Sequence, residues 1–256
     1  MKKIMSLLIL AAVAAMPMAA SAADGFLYAD VLSAYVSNGQ VGNDEAVFQP
    51  GLDVSGPLGL TYSFWANMAL TDADSAWDPN TSGEWNELDL GLSWTVPYEA
   101  PVSLSFGATY YVYPQATGSA DGSYEVYAKL AASDVPLSPA IKFCHDMDNQ
   151  DDWIAKFSIG HSFSLMEDLS LDLGATVGYA GEYYVESNYG ADAGSAFSHV
   201  QLDAGLNYAL TEKASVGLKG SFSSIIDSDV RDSIEETDYY PDVDIFFGGV
   251  TASYAF

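Results

Sequence analysis

Apolar and polar residues alternate with a period of two through most of this chain, and that rhythm restricts it to strands with two unlike faces. Leu169, Leu171, Leu173, Ala175, Val177 and Tyr179 fall on one face, with Ser170, Asp172, Gly174, Thr176 and Gly178 on the other. Val200, Leu202, Ala204, Leu206 and Tyr208 oppose His199, Gln201, Asp203, Gly205 and Asn207 in the same way. So do Leu88, Leu90, Leu92, Trp94 and Val96 against Glu87, Asp89, Gly91, Ser93 and Thr95. Such runs match the ~9–11 residues a tilted strand needs to cross a bilayer. Twelve are legible, at 26–37, 45–55, 60–70, 85–96, 102–113, 123–133, 139–147, 152–164, 169–181, 197–209, 213–225 and 242–256. Asp30 and Ser33 disagree over which face is polar, so a bulge or register change is expected near Leu32.

Alternation alone fits two architectures. A soluble sandwich or lipocalin-like barrel would turn the apolar face inward, and a membrane barrel would turn it outward. Three asymmetries favour an antiparallel up-and-down transmembrane β-barrel. First, the polar face is rich in Gly, Ser and Thr, whereas a water-facing exterior carries many lysines and acids. Second, connections alternate in length. Gly56–Gly59, Pro97–Ala100, Asp134–Leu137 and Thr211–Glu212 are short, while 71–84, 114–122, 182–196 and 226–241 are long and acidic. Outer-membrane barrels pair short periplasmic turns with longer external loops, which places both termini on the periplasmic side. Third, Phe246, Gly248, Val250, Ala252, Tyr254 and Phe256 form one face of a last strand that ends on an aromatic residue. This resembles the signal by which the outer-membrane assembly machinery recognises its clients. Aromatics also gather in two bands. Tyr62, Trp94, Phe163, Tyr208 and Tyr254 lie toward the turns, and Tyr110, Phe143, Trp153, Tyr179 and Phe222 toward the loops.

The amino terminus reads as an export signal over residues 1–22, leaving 23–256 as a single barrel domain. Lys2 and Lys3 precede an apolar stretch from Met5 to Ala15, followed by Ala20-Ser21-Ala22. Removing Lys2 and Lys3 leaves 6 of the 8 basic residues against 35 acidic ones, a balance of -29. That excess argues against nucleic acid as a partner and favours a surface that attracts cations. A lone cysteine, Cys144, excludes an internal disulfide framework. The expected setting is the bacterial outer membrane, with lipid and small solutes or ions as partners.

The stretch Ala34-Tyr35-Val36-Ser37-Asn38-Gly39-Gln40, followed by Phe48-Gln49-Pro50-Gly51-Leu52-Asp53, resembles the opening of TorF-family porins of the bacterial outer membrane. That resemblance covers the whole mature chain in general layout. It implies a pore and assigns no functional residue.

With polar faces inward, the lumen or its constriction would hold Asp53, Glu87, Asp89, Glu125, Asp172 and Asp203 together with Lys129, Lys142, Lys156, Lys213 and Lys219. These groups either form a charged constriction that selects by sign or pair with one another and fill the interior. Twelve strands ~4.8 Å apart and tilted ~40° give a backbone diameter of roughly 24 Å and an opening of ~10 Å or less. Ions, nucleosides or sugars would fit. No cofactor is called for, except that Asp146, Asp148, Asp151 and Asp152 cluster closely enough to raise the question of calcium. That run lacks the glycine of a helix–loop–helix calcium loop, and a solvated anionic loop is the simpler reading. An enzyme is not expected. His161, between Ile159 and Phe163, would be the catalytic histidine of a barrel lipase, but no matching serine is recognisable. A structural or adhesive barrel, acting through loops such as 182–196, is the remaining alternative.

Overall fold

The computed structural model describes residues 24–72, 81–98, 100–115, 122–148, 151–238 and 240–256. The segment 1–22, expected from sequence to be an export signal, lies outside them. The chain opens with β1 (Asp24–Leu32), continues through a small hairpin of β2 (Tyr35–Ser37) and β3 (Gln40–Asn43), and returns to the wall as β4 (Val47–Ser55) and β5 (Leu60–Ala69). Then follow β6 (Trp85–Thr95), β7 (Ser103–Val112), β8 (Gly122–Ala131), β9 (Ala140–Asp146) and β10 (Trp153–Met166). β11 (Leu169–Ala180) leads into helix α1 (Glu182–Tyr189) and then β12 (Ala196–Ala209). β13 (Ala214–Ile225), helix α2 (Ser228–Thr237) and β14 (Asp244–Ala255) complete the chain.

Every strand except β2 and β3 joins one closed antiparallel barrel of twelve, each paired to its neighbour in sequence and β1 paired to β14. The wall strands match the alternating runs to within a few residues, apart from the first. There the chain leaves the wall at Leu32, and the expected strand to residue 37 is instead half of the inner hairpin. The disagreement between Asp30 and Ser33 marks the end of a strand, not a bulge within it.

The apolar face looks outward. Leu202, Leu218, Phe246 and Val250 are each about half exposed or more, and Phe246 reaches 82%. A belt of this size in water would be an aggregation surface, whereas in lipid it is the driving force for insertion. The loop-end aromatic band is a continuous chain of ring contacts from Phe143 through Trp153 and Tyr179 to Phe197, with centroids 5.5, 5.8 and 4.9 Å apart. At the turn end Trp94 donates from Nε1 to the Leu58 carbonyl at 3.1 Å, pinning its ring at the rim.

Two of the long segments expected as open acidic loops instead carry helices that fold over the loop end. Val185 and Tyr189 of α1 and Val230 and Ile234 of α2, each four residues apart, pack with Tyr184 and Tyr240 onto Cys144, Ile154, Ala180 and Ile225 of the wall. Burying an aliphatic side chain of this size stabilises by about 1.5–3 kcal/mol. Asp227 caps α2 by accepting from the backbone N–H groups of Asp229 and Val230. Arg231, the one arginine of the chain, clamps α2 to the wall through two bonds to the Asp244 carboxylate at 2.9 and 2.6 Å. That hydrogen-bonded pairing raises its pKa further.

Candidate functional site

The hairpin decides the shape of the interior. Asn38 and Gly39, at φ +51° and +84°, form its tip, a pair suited to a tight hairpin turn because both central residues need positive φ. Gln40, Val41, Gly42 and Asn43 are all buried, so the hairpin lies inside the barrel. Three groups hold its tip. Lys156 donates to the Asn38 side-chain oxygen at 3.0 Å, the Asn38 amide donates to the Tyr184 hydroxyl at 3.2 Å, and Tyr189 donates to the Asn38 carbonyl at 2.7 Å. At its base Tyr35 donates to Glu87 at 2.6 Å and its ring leans on Trp65, centroids 5.5 Å apart. Burial pushes the Tyr184 and Tyr189 hydroxyls to higher pKa, so both stay protonated, Tyr184 accepting from Asn38 and Tyr189 donating to it.

Around the hairpin stand the predicted charged residues, together with Asp30, which the sequence did not assign to the lumen. Asp30, Asp53, Glu87, Asp89 and Glu125 occupy inward positions on β1, β4, β6 and β8. One carboxylate oxygen of Asp30 and one of Asp89 are buried without a hydrogen-bond partner among the described residues. The lysines form a second group. Lys129 pairs directly with Lys142, and Lys142 with Lys156, so three lysines stand opposite one another on β8, β9 and β10. Lys142 donates to Glu125 at 3.3 Å and lies 4.0 Å above the Tyr127 ring. Lys219 meets Asp30 at 2.6 Å, reaching past the β1–β14 seam. Asp172 accepts from Asn207 at 2.6 Å, and Asp203 accepts from Gln201 and Ser221 at 2.9 and 2.7 Å. Some of these charges pair, while Lys129 has no ion-pair partner among the described residues. Lys213 stands apart, exposed in the turn between β12 and β13.

The acidic run 146–152 is not gathered around a common point. Asp146 accepts from Ser123 at 2.7 Å and from the Asp148 N–H at 2.9 Å, while Asp152 accepts from the Tyr184 N–H at 2.8 Å and so caps α1. Among the described residues no three acids, histidines or cysteines come together as a metal site. His161 lies on the outer face, its ring edge-on to Phe163 with centroids 4.5 Å apart.

Sequence reasoning missed Asn38, Tyr35, Tyr184 and Tyr189 as site residues. The Asn-Gly pair was the one available signal, and it reads equally as an external turn.

No protein-family model and no curated protein sequence matches the chain. Solved structures do. The chain is similar to the NanC porin with a TM-score of 0.53 at 13% identity, covering 88% of this chain and 98% of that one. The fold is that of an outer-membrane porin. The KdgM porin in complex with disordered oligogalacturonate gives 0.54 at 11% identity, covering 91% and 99%. An outer-membrane channel from Pseudomonas putida F1 gives 0.50 at 12%, covering 92% and 95%. These porin-like barrels share the closed architecture around a lumen, and at such identities the likeness is one of fold.

Proposed function

We propose that the protein is a channel of the bacterial outer membrane that passes small solutes and ions and favours cations. In this reading it is exported by the segment 1–22, assembled through the strand ending at Phe256, and placed among the TorF-like porins it resembles. It works in lipid, without a cofactor or nucleic acid. The observation that carries the reading is the acidic arc of Asp30, Asp53, Glu87, Asp89 and Glu125, on the inner face of a barrel whose mature chain carries a large negative balance. Rows of carboxylates along a narrow aqueous path lower the energy of a cation there and raise that of an anion. The porins it resembles in fold support the pore, and the packed helices over the loop end favour the competing reading of a closed, loop-displaying barrel.

Planar-bilayer recording of the refolded mature chain tests the two. Discrete conductance, with a reversal potential shifted toward the cation equilibrium potential in a salt gradient, is expected. Asp53→Asn with Asp89→Asn should move that potential toward zero. A silent bilayer would favour the closed barrel, and an anion-directed potential would refute the cation preference.

A further inference from the structure

The lysine row is hard to explain as structure. Like charges placed directly opposite on neighbouring strands destabilise a sheet, and here three stand in succession. The mature chain has 6 basic residues, so half of its positive charge is spent on one row. Among the described residues Glu125 is the one carboxylate bonded to it, through Lys142. The row also borders a space. A cavity of about 370 Å³ lies against Lys129, Lys142 and Lys156, roofed by the hairpin tip at Ser37 and Asn38 and bordered by Thr176 and Gln201. Lysines lining a cavity with amide and hydroxyl groups beside them make a receptor for an anion that also carries hydrogen-bonding groups.

The geometry points to a binding station for a small organic polycarboxylate, held by Lys129, Lys142 and Lys156 beneath the hairpin tip. Two inter-strand spacings separate the first lysine stem from the last, about 10 Å. A compact ion bearing two or three carboxylates can reach along such a row, whereas a monocarboxylate engages one end of it. Asp30, Asp53, Glu87 and Asp89 on β1, β4 and β6 repel the same ion, so it is confined to the lysine side. The inference rests on the channel reading through access to the lumen and is independent of the overall cation preference.

The test uses citrate as probe and acetate as control, at matched ionic strength and without divalent cations. In planar bilayers, citrate should reduce the open-channel current of the wild-type barrel in a saturable way, while acetate leaves it unchanged. Lys129→Gln alone should weaken the citrate effect about tenfold, the loss of one charged hydrogen bond. The triple change Lys129→Gln, Lys142→Gln, Lys156→Gln should abolish it, and Lys213→Gln in the turn should leave it intact. Equal effects of citrate and acetate, or full citrate sensitivity in the triple variant, would overturn the assignment. If the barrel conducts nothing, the channel reading fails separately. Calorimetric titration of citrate into the refolded protein in zwitterionic detergent then decides: binding lost in the triple variant supports the station, and no binding to wild type overturns it.

Discussion

The loop end and the turn end of the lumen are enclosed by the same twelve strands but filled in opposite ways. At the loop end the hairpin occupies the interior and two helices fold over it, and Tyr189, Val185, Val230 and Ile234 are as buried as the core of a soluble domain. At the turn end the inner face carries Thr95, Ser105, Ser215 and Ser253, short residues that bond across strands. The difference teaches that the alternation of a barrel strand specifies the wall alone. What fills the wall is written in the connections, and here a long connection either turns inward or folds across.

This contrast can be broken most decisively by replacing Ala34–Asp44 with a short Gly-Ser linker. Single-channel conductance should rise several-fold, and an unchanged conductance would show that the hairpin does not narrow the path. Next in size, Ile234→Ala should cost about 2–5 kcal/mol of packing under the helices. It should speed amide exchange and proteolysis in 182–189 and 228–237 while the wall remains intact. If the whole barrel unfolds with it, the cap and the wall are one cooperative unit. A smaller effect separates two glycines of one strand. A Cβ on Gly178 would lie 2.5 Å from the His199 ring, whereas one on Gly174 would meet nothing closer than 3.6 Å. Gly178→Ala should therefore cost about 1–3 kcal/mol and Gly174→Ala under about 0.5 kcal/mol, both read from denaturant midpoints in detergent. Smallest of all, Asp152→Ala should remove the cap of α1 for about 1 kcal/mol, visible as faster exchange at Tyr184. Added calcium should change neither protein if the acid serves the helix.

The wall was legible because lipid imposes a rule on every second residue. Leu171 and Asp172 cannot exchange places, so strand bounds such as 169–180 emerge from pattern alone. The lysine row was partly legible for the same reason, since Lys129, Lys142 and Lys156 share the inward face on three successive strands. Their direct opposition required the register. The hairpin obeys no such rule. Inside the lumen Gln40 and Asn43 are buried, and nothing forces their segment to alternate. The helices were hidden differently: Tyr183, Tyr184, Val185 and Tyr189 are β-branched or aromatic residues, weak helix formers that become helical by packing. Asp152 illustrates the same limit, because its role as a cap depends on α1 lying beside it.

The hairpin hangs from β1, and β1 is also the strand that seals the cylinder against β14, with Lys219 fastened to Asp30 over that seam. Sealing and stoppering are therefore tied to a single strand at the start of the chain. Once β14 docks, the tip is enclosed on every side by wall. Closure of the cylinder and the position of the tip within it are thus two consequences of one strand's path.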